Sequence, residues 1–315
     1  MKIVLLESLG VTQEVMQSYV AKMNAEGHTV ECYARDLNEE VQIERAKDAD
    51  ILVIANMPLS GKVIRACKNL KYIDVAFTGV DHVDLEAAKE RGIAVSNASG
   101  YSTESVAELT ICMMLSLLRN VSQVEKKCRE GGTKDGLVGS ELRGKVVGII
   151  GTGAIGRRVA DLCHCFGCEV IGYSRHPKKD LPDYIRNVSL EELLSQSDIV
   201  SLHCPLNEDS RHLINESRIQ LMKNSALLIN AARGPVVDSA ALARALNDGR
   251  IAGAGIDVFE MEPPVPQDHP LLNAKNTLLT PHVAFASKES MELRAEIVFD
   301  NIEKWVGGEQ TNIVL

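Results

Sequence analysis

Residues 151–156 read Gly-Thr-Gly-Ala-Ile-Gly, behind an apolar run, VVGII (146–150), and ahead of a helical pattern over 154–166. That order suits a ligand carrying phosphates. Gly151 permits a tight turn, Gly153 lets the backbone approach a pyrophosphate, and Gly156 lets helix and sheet pack closely. Ala154 and Ile155 open the helix, whose first N–H groups and partial positive charge face the anion. Strand, G-x-G-x-x-G and helix in succession predict a dinucleotide site. With NAD, an acid at the end of the next strand, EVIGY (169–173), accepts bonds from both ribose hydroxyls. No acid stands there. Ser174, Arg175 and His176 follow, then Lys178 and Lys179. An acid would repel a 2′-phosphate. The planar fork of Arg175 suits one, the Ser174 hydroxyl donates to it, and His176 and the lysines add positive field. NADP(H) is the preferred cofactor on this reading, with NAD(H) as the other possibility.

Three more stretches place polar groups directly after apolar runs: NAARGPVVD (230–238), DVFEMEPP (257–264) and TPHVAFAS (280–287). They carry Arg233, Asp257, Glu262 and His282. In an open α/β sheet the ligand lies outside the carboxyl ends of the strands, so these four side chains are expected to gather at one sheet edge. Each alone has a plainer reading. Arginine before glycine is commonly a surface residue, a glutamate can cap a proline turn, and a single histidine is commonly structural. Their shared position after successive strands favours one site.

The elements that hold these residues form two alternations. Apolar runs at 2–7, 29–34, 51–56, 72–77 and 93–97 alternate with helical patterns at 12–26, 38–47, 60–67 and 84–91. After a long helical pattern from Ser102 to residue 118, runs at 146–150, 169–173, 199–203, 226–230, 253–258 and 277–280 alternate with helices at 154–166, 189–196, 216–222 and 238–248. A last helix fills 287–306. Strands alternating with helices mean parallel sheets. The fold class is therefore α/β, with two parallel-sheet domains and a cleft between them. Residues 1–98 plus 286–315 form a flavodoxin-like substrate domain, and residues 99–285 a Rossmann dinucleotide-binding domain.

Bulk properties narrow the function. A net charge of −9 argues against a general nucleic-acid or anionic-membrane surface. The first apolar run is cut off by Glu7, too early for a signal-peptide core, and LTICMMLSLL (109–118) is too short to span a bilayer. A cytoplasmic protein is expected. The cluster CHCFGC (163–168) invites a metal, but on a helix Cys163 and Cys165 point ~200° apart, and Gly167 ends that helix. No metal is expected.

Nearly the whole chain resembles the D-isomer-specific 2-hydroxyacid dehydrogenases. The resemblance rests on GTGAIG, HCPLNEDSRHLIN (203–215), NAARGPVVD, the DVFE…EP segment and TPH. It implies NAD(P)-dependent reduction of a 2-keto acid or the reverse oxidation, an active site between two domains, and a homodimer. It implies that Arg233 binds the substrate carboxylate and polarises the keto oxygen. His282 would donate the proton, and Glu262 would orient the imidazole and favour its charged form. Asp257 would bind the nicotinamide amide. His203, Cys204, Pro205 and Ala231 would line the cofactor. In the first domain AFTGVDHVD (76–84) resembles the loop that meets the substrate carboxylate, which assigns Thr78, Gly79 and Val80 to substrate; Asn56 and Met57 end a strand facing the same cleft. Phe285 sets a ring near His282 and limits substrate size. A small 2-keto acid such as glyoxylate or hydroxypyruvate is the expected substrate. The alternatives are a phosphoglycerate dehydrogenase-like enzyme, disfavoured because NMPLS (56–60) carries no cation, and a dinucleotide-sensing corepressor of the same fold.

Overall fold

The computed structural model describes residues 1–176 and 180–315, so Lys178 and Lys179 of the basic segment lie outside the described residues. The chain divides into two compact units, Met1–Ser102 with Ala286–Leu315, and Thr103–Phe285. The first unit continues beyond residue 98 because Ala98 N–H donates back to the carbonyls of Val75 (2.9 Å) and Phe77 (3.1 Å), and Tyr101 is buried.

In the first unit β1 (Lys2–Leu5), β2 (Thr29–Cys32), β3 (Ile51–Ile54), β4 (Tyr72–Val75) and β5 (Ala94–Asn97) form a parallel sheet ordered β2-β1-β3-β4-β5. That is the flavodoxin-like order. Every residue of β3 and β4 is buried, which is why their sequences ILVI and YIDV run on without a polar-out alternation. The helix Lys288–Val306 closes the unit: Trp305 stacks on Tyr72 at 4.7 Å and Phe299 on Tyr19 at 4.4 Å.

In the second unit β6 (Val146–Ile150), β7 (Glu169–Tyr173), β8 (Ile185–Asn187), β9 (Ile199–Leu202), β10 (Leu227–Asn230), β11 (Gly253–Ile256) and β12 (Thr277–Leu279) form a parallel sheet ordered β12-β11-β10-β9-β6-β7-β8. The chain runs outward from β6 to β8, then returns to β9 on the other side of β6. The switch of direction between β6 and β9 opens the crevice in which Rossmann sheets bind dinucleotides. Two elements here were not anticipated. Strand β8 has three residues and buries only Ile185, too little for an apolar run. The helix Val121–Arg129 buries no residue at all; its apolar side chains, Val121, Val124 and Cys128, share one exposed face. Among the described residues no single helix is long and apolar enough to cross a membrane.

The core holds ionisable groups, Asp74 among them. Asp74 on β4 is fully buried; its Oδ1 accepts from Asn301 Nδ2 at 3.2 Å, and its Oδ2 meets no hydrogen-bond donor among the described residues. Burial pushes its pKa up to about 8. The folded chain therefore holds this proton more tightly than the unfolded chain, whose aspartates titrate near ~3.9. The stability this carboxyl allows is fully present below that value, falls as pH rises, and is lost once pH passes about 8. Asp74→Asn keeps an acceptor for Asn301 and does not ionise. Thermal denaturation across pH 6–9 should show the variant gaining on the parent as pH rises, by about 1–3 kcal/mol at the alkaline end; a constant difference would contradict this account.

Candidate active site

The glycine loop joins β6 to the helix Ala154–Cys165. Its glycines have three separate causes. Gly151 has φ +97°, and a Cβ there would lie 2.6 Å from the Cys204 nitrogen and the His203 carbonyl carbon. A Cβ on Gly156 would lie 2.0 Å from the Gly151 oxygen. A Cβ on Gly153 would meet nothing within 4 Å. Among the described residues no atom demands glycine at 153, and the open space lies at a helix N-terminus with no side-chain cap. Bare N–H groups facing open space fit a pyrophosphate.

The loop lies against the end of β7. Gly151 N–H donates to the Tyr173 carbonyl at 2.8 Å, and Thr152 N–H donates to Ser174 Oγ at 2.9 Å. The Ser174 hydroxyl is thus partly engaged by the loop, including Thr152 Oγ1 at 2.7 Å. A pocket of about 450 Å³ opens here, lined by Gly151, Gly153, Ser174, Arg175 and His176 on one side, and by His203, Cys204 and Pro205 on the other. Asp209 and Arg218 line it too. Ser201 Oγ bonds the Nε2 of His203 at 2.8 Å, while its Nδ1 has no partner among the described residues. Desolvation pushes the His203 pKa down to about 3, so the ring is neutral. Ala231 does not line this pocket; it lies between β10 and Arg233.

The second group lies at the carboxyl ends of β10, β11 and β12, three neighbouring strands. Arg233 follows β10, Asp257 directly follows β11 with Glu262 in the same loop, and His282 follows β12. The buried Asn230 shapes the first loop: its Nδ2 donates to the Arg233 carbonyl at 2.9 Å and its Oδ1 accepts from Ala232 N–H at 3.1 Å. A Cβ on Gly234 would lie 1.9 Å from the Phe259 carbonyl, so glycine is what allows the loops after β10 and β11 to touch.

His282 is paired as the sequence anticipates. Its Nδ1 lies 2.9 and 2.8 Å from the two carboxylate oxygens of Glu262, and Phe285 meets the ring edge-on at 5.3 Å. Its backbone is left-handed, φ 55°. Asp257 holds that conformation: its carbonyl accepts from His282 N–H at 2.7 Å, and its carboxylate accepts from Val283 N–H and Ala284 N–H, both at 2.9 Å, and from Thr280 Oγ1 at 2.5 Å. This corrects the direct role expected for Asp257. Its side chain is fully buried and engaged by three donors within the protein, so no surface remains for a nicotinamide amide.

The first unit assembles its own set. His82 Nε2 bonds the Ala55 carbonyl at 2.7 Å, and Leu59 N–H donates to the His82 carbonyl at 2.9 Å, which ties the loop after β4 to the loop after β3. Thr78, Gly79 and Val80 are in that loop, with the Thr78 carbonyl accepting from Asn97 Nδ2 at 2.7 Å. Asn56 Oδ1 accepts from Arg35 Nη1 at 3.4 Å. Met57 departs from expectation: it is fully buried, its sulfur 3.4 Å from Gln42 Nε2 and its N–H held by Glu7 at 2.9 Å. The side chain expected to face substrate is core.

Known proteins resemble this chain over most of its length. A family model described as D-isomer specific 2-hydroxyacid dehydrogenase, NAD binding domain, matches residues 111–284. A glyoxylate reductase of Korarchaeum cryptofilum is 39% identical over 280 residues, covering 86% of this chain and 84% of its own. The chain belongs to the D-isomer specific 2-hydroxyacid dehydrogenase family. A hydroxypyruvate reductase of Blautia hydrogenotrophica is 37% identical over 286 residues, 88% of each chain. Among solved structures, an acyclic imino acid reductase in complex with NADPH and D-Arg superposes with a TM-score of 0.91 at 32% identity over the full length of both chains. A 2-hydroxyacid dehydrogenase works with a nicotinamide dinucleotide, and the open space at Gly153 beside an uncapped helix end fits that group.

Three residues of this dehydrogenase escaped the sequence reading: Thr280, Asp209 and Arg218. Thr280 belongs to the TPH segment, but only its bond to Asp257 reveals its use. Because Asp257 accepts two loop N–H groups in a buried place, Asp257→Ala leaves them unsatisfied. The expected result is about 2–4 kcal/mol lost in denaturant unfolding, with a fall in kcat as the His282 loop relaxes. Thr280→Val should lose about 1 kcal/mol. Parent-like stability in Asp257→Ala would remove the positioning role.

Proposed function

We propose that this dehydrogenase reduces a small 2-keto acid, glyoxylate or hydroxypyruvate, with NADPH preferred over NADH. The observation that carries the reading is His282, held at Nδ1 by both oxygens of Glu262, at the strand ends that also place Arg233. The guanidinium of Arg233 binds the substrate carboxylate with two parallel bonds and draws electron density from the keto oxygen. With Nδ1 given to Glu262, the proton to be donated sits on Nε2 of His282. It passes to the keto oxygen as negative charge develops there. Glu262 fixes the ring plane and balances the imidazolium before transfer. Asp257 acts on this step only through the backbone it holds. Phe285 occupies space beside the imidazole and favours a short side chain on the substrate. Thr78, Gly79 and Val80 are assigned to the substrate carboxylate, with Asn56 beside them. When bound, the dinucleotide supplies the hydride.

NADPH preference rests on the absence of an acid after β7 and the presence of Arg175 in the pocket. The NADPH-bound imino acid reductase supports it, and the named reductases support the substrate class. All eight cysteines are unbridged, which favours a reducing, cytoplasmic setting. A homodimer completes the reading. One observation favours a second reading, a phosphoglycerate dehydrogenase-like enzyme: Arg35 stands beside Asn56, a cation that the NMPLS segment itself lacks.

A spectrophotometric panel separates these. Glyoxylate and hydroxypyruvate with NADPH should give the highest kcat/KM. A tenfold advantage for NADH would overturn the cofactor preference, and turnover confined to phosphohydroxypyruvate would select the second reading. Tight dinucleotide binding without turnover on any keto acid would point to a corepressor. His282→Ala should lose about a hundredfold or more in kcat with the Kd for NADPH unchanged, and near-normal turnover would sink the assignment. Glu262→Gln should fall between parent and His282→Ala.

A further inference from the structure

We infer that Asp209 is the counter-ion of Arg175, and that by pairing with it Asp209 weakens the site's selectivity for a 2′-phosphate. The inference deepens the cofactor reading above and rests on it in one respect, that the adenosine ribose reaches Arg175.

Arg175 and Asp209 come from opposite sides of the crevice. Arg175 lies just past β7, and Asp209 lies in the loop that leaves β9. Both line the same pocket, and their side chains are in contact there, Arg175 Nη1 against Asp209 Oδ2. The acid missing from the end of β7 is thus supplied, but across the crevice and to an arginine. The residue after β7 that is equipped to grip a phosphate is already gripping a carboxylate.

The loop that presents Asp209 is built, not loose. Asn207 Oδ1 accepts from the N–H groups of Asp209 (3.1 Å) and Ser210 (3.0 Å). The buried Ser210 hydroxyl accepts from Asn207 N–H at 2.8 Å and donates to the Pro205 carbonyl at 2.7 Å. Asp209 is therefore aimed from a turn fixed on both sides. Arg218 is a second guanidinium on the pocket, tethered through Nη1 to the Leu213 carbonyl at 2.9 Å. Among the described lining residues two guanidiniums stand against one carboxylate. The pocket keeps a net attraction for an anion, reduced by one charge.

The energetic consequence is an exchange. To bind NADPH, Arg175 must release Asp209 and take the phosphate, leaving a carboxylate near a group of ~1.5–2 negative charges. NADH demands no such exchange. Arg175 and Asp209 are 55% and 64% exposed, so water and salt screen the pair. The expected effect is therefore modest, about fivefold, which is what ~1 kcal/mol amounts to.

The test isolates the 2′-phosphate from turnover. Dissociation constants for adenosine 2′,5′-bisphosphate and for 5′-AMP are measured by isothermal titration on the parent, Asp209→Asn, Arg175→Gln and the double variant. Asp209→Asn should tighten the bisphosphate about fivefold and leave 5′-AMP within twofold. In the Arg175→Gln background the gain should vanish. If Asp209→Asn changes neither ligand, moves both equally, or gives the same gain without Arg175, the counter-ion role is overturned. The broader preference fails separately: a parent that binds the two ligands equally while Asp209→Asn gains only for the bisphosphate would keep the counter-ion and discard the NADPH preference. Thermal melts of each variant confirm that the turn at 207–210 survives.

Discussion

Asp257 places a carboxyl group where no water reaches and surrounds it with three donors from one short loop, Thr280 Oγ1, Val283 N–H and Ala284 N–H. The carbonyl of the same residue takes the N–H of His282. The side chain thus fixes the loop beyond the histidine while the backbone fixes the histidine itself. A left-handed φ is unusual for a residue other than glycine, and it persists because both sides are tied to one residue on the neighbouring strand. From that fixed backbone the imidazole meets Glu262 at both carboxylate oxygens. The chemistry of the second unit depends on this buried anchor.

Parallel topology explains why the anchor can work. Strands β10, β11 and β12 all deliver their following loops to one edge, so residues far apart in the chain become neighbours without any long connection. The same rule places the glycine loop after β6 and Arg175 and His176 after β7 at that edge. The pocket beside the glycine loop and the His282–Glu262 pair are built on one sheet, an arrangement that suits a reaction needing two reactants held in register.

Much of this was legible in the sequence, and the remainder was hidden for physical reasons. Strands such as ILVI and GAGI declared themselves because both faces are buried. Arg233, Glu262 and His282 stand out as candidates because their order after successive strands is visible in one dimension. The helix Val121–Arg129 is short and offers only three apolar positions among charged and polar ones, too weak a pattern to stand out. Met57 lies in the loop beyond β3, where alternation no longer tells which side chain turns inward. Asp257 was given to the cofactor because a side chain satisfied by backbone N–H groups looks, in sequence, like one awaiting a ligand. Asp209 and Arg175 lie in separate crossovers, and no local pattern joins them.

The contact at Gly234 has a wider meaning. With room only for a hydrogen atom between it and the Phe259 carbonyl, the loops bearing Arg233 and Glu262 interlock like two gear teeth. Neither can be lengthened, shortened or drifted by sequence change without jamming the other. A bulkier residue at 234 would push both loops apart at once, so Arg233 and Glu262 are carried by what is mechanically a single part.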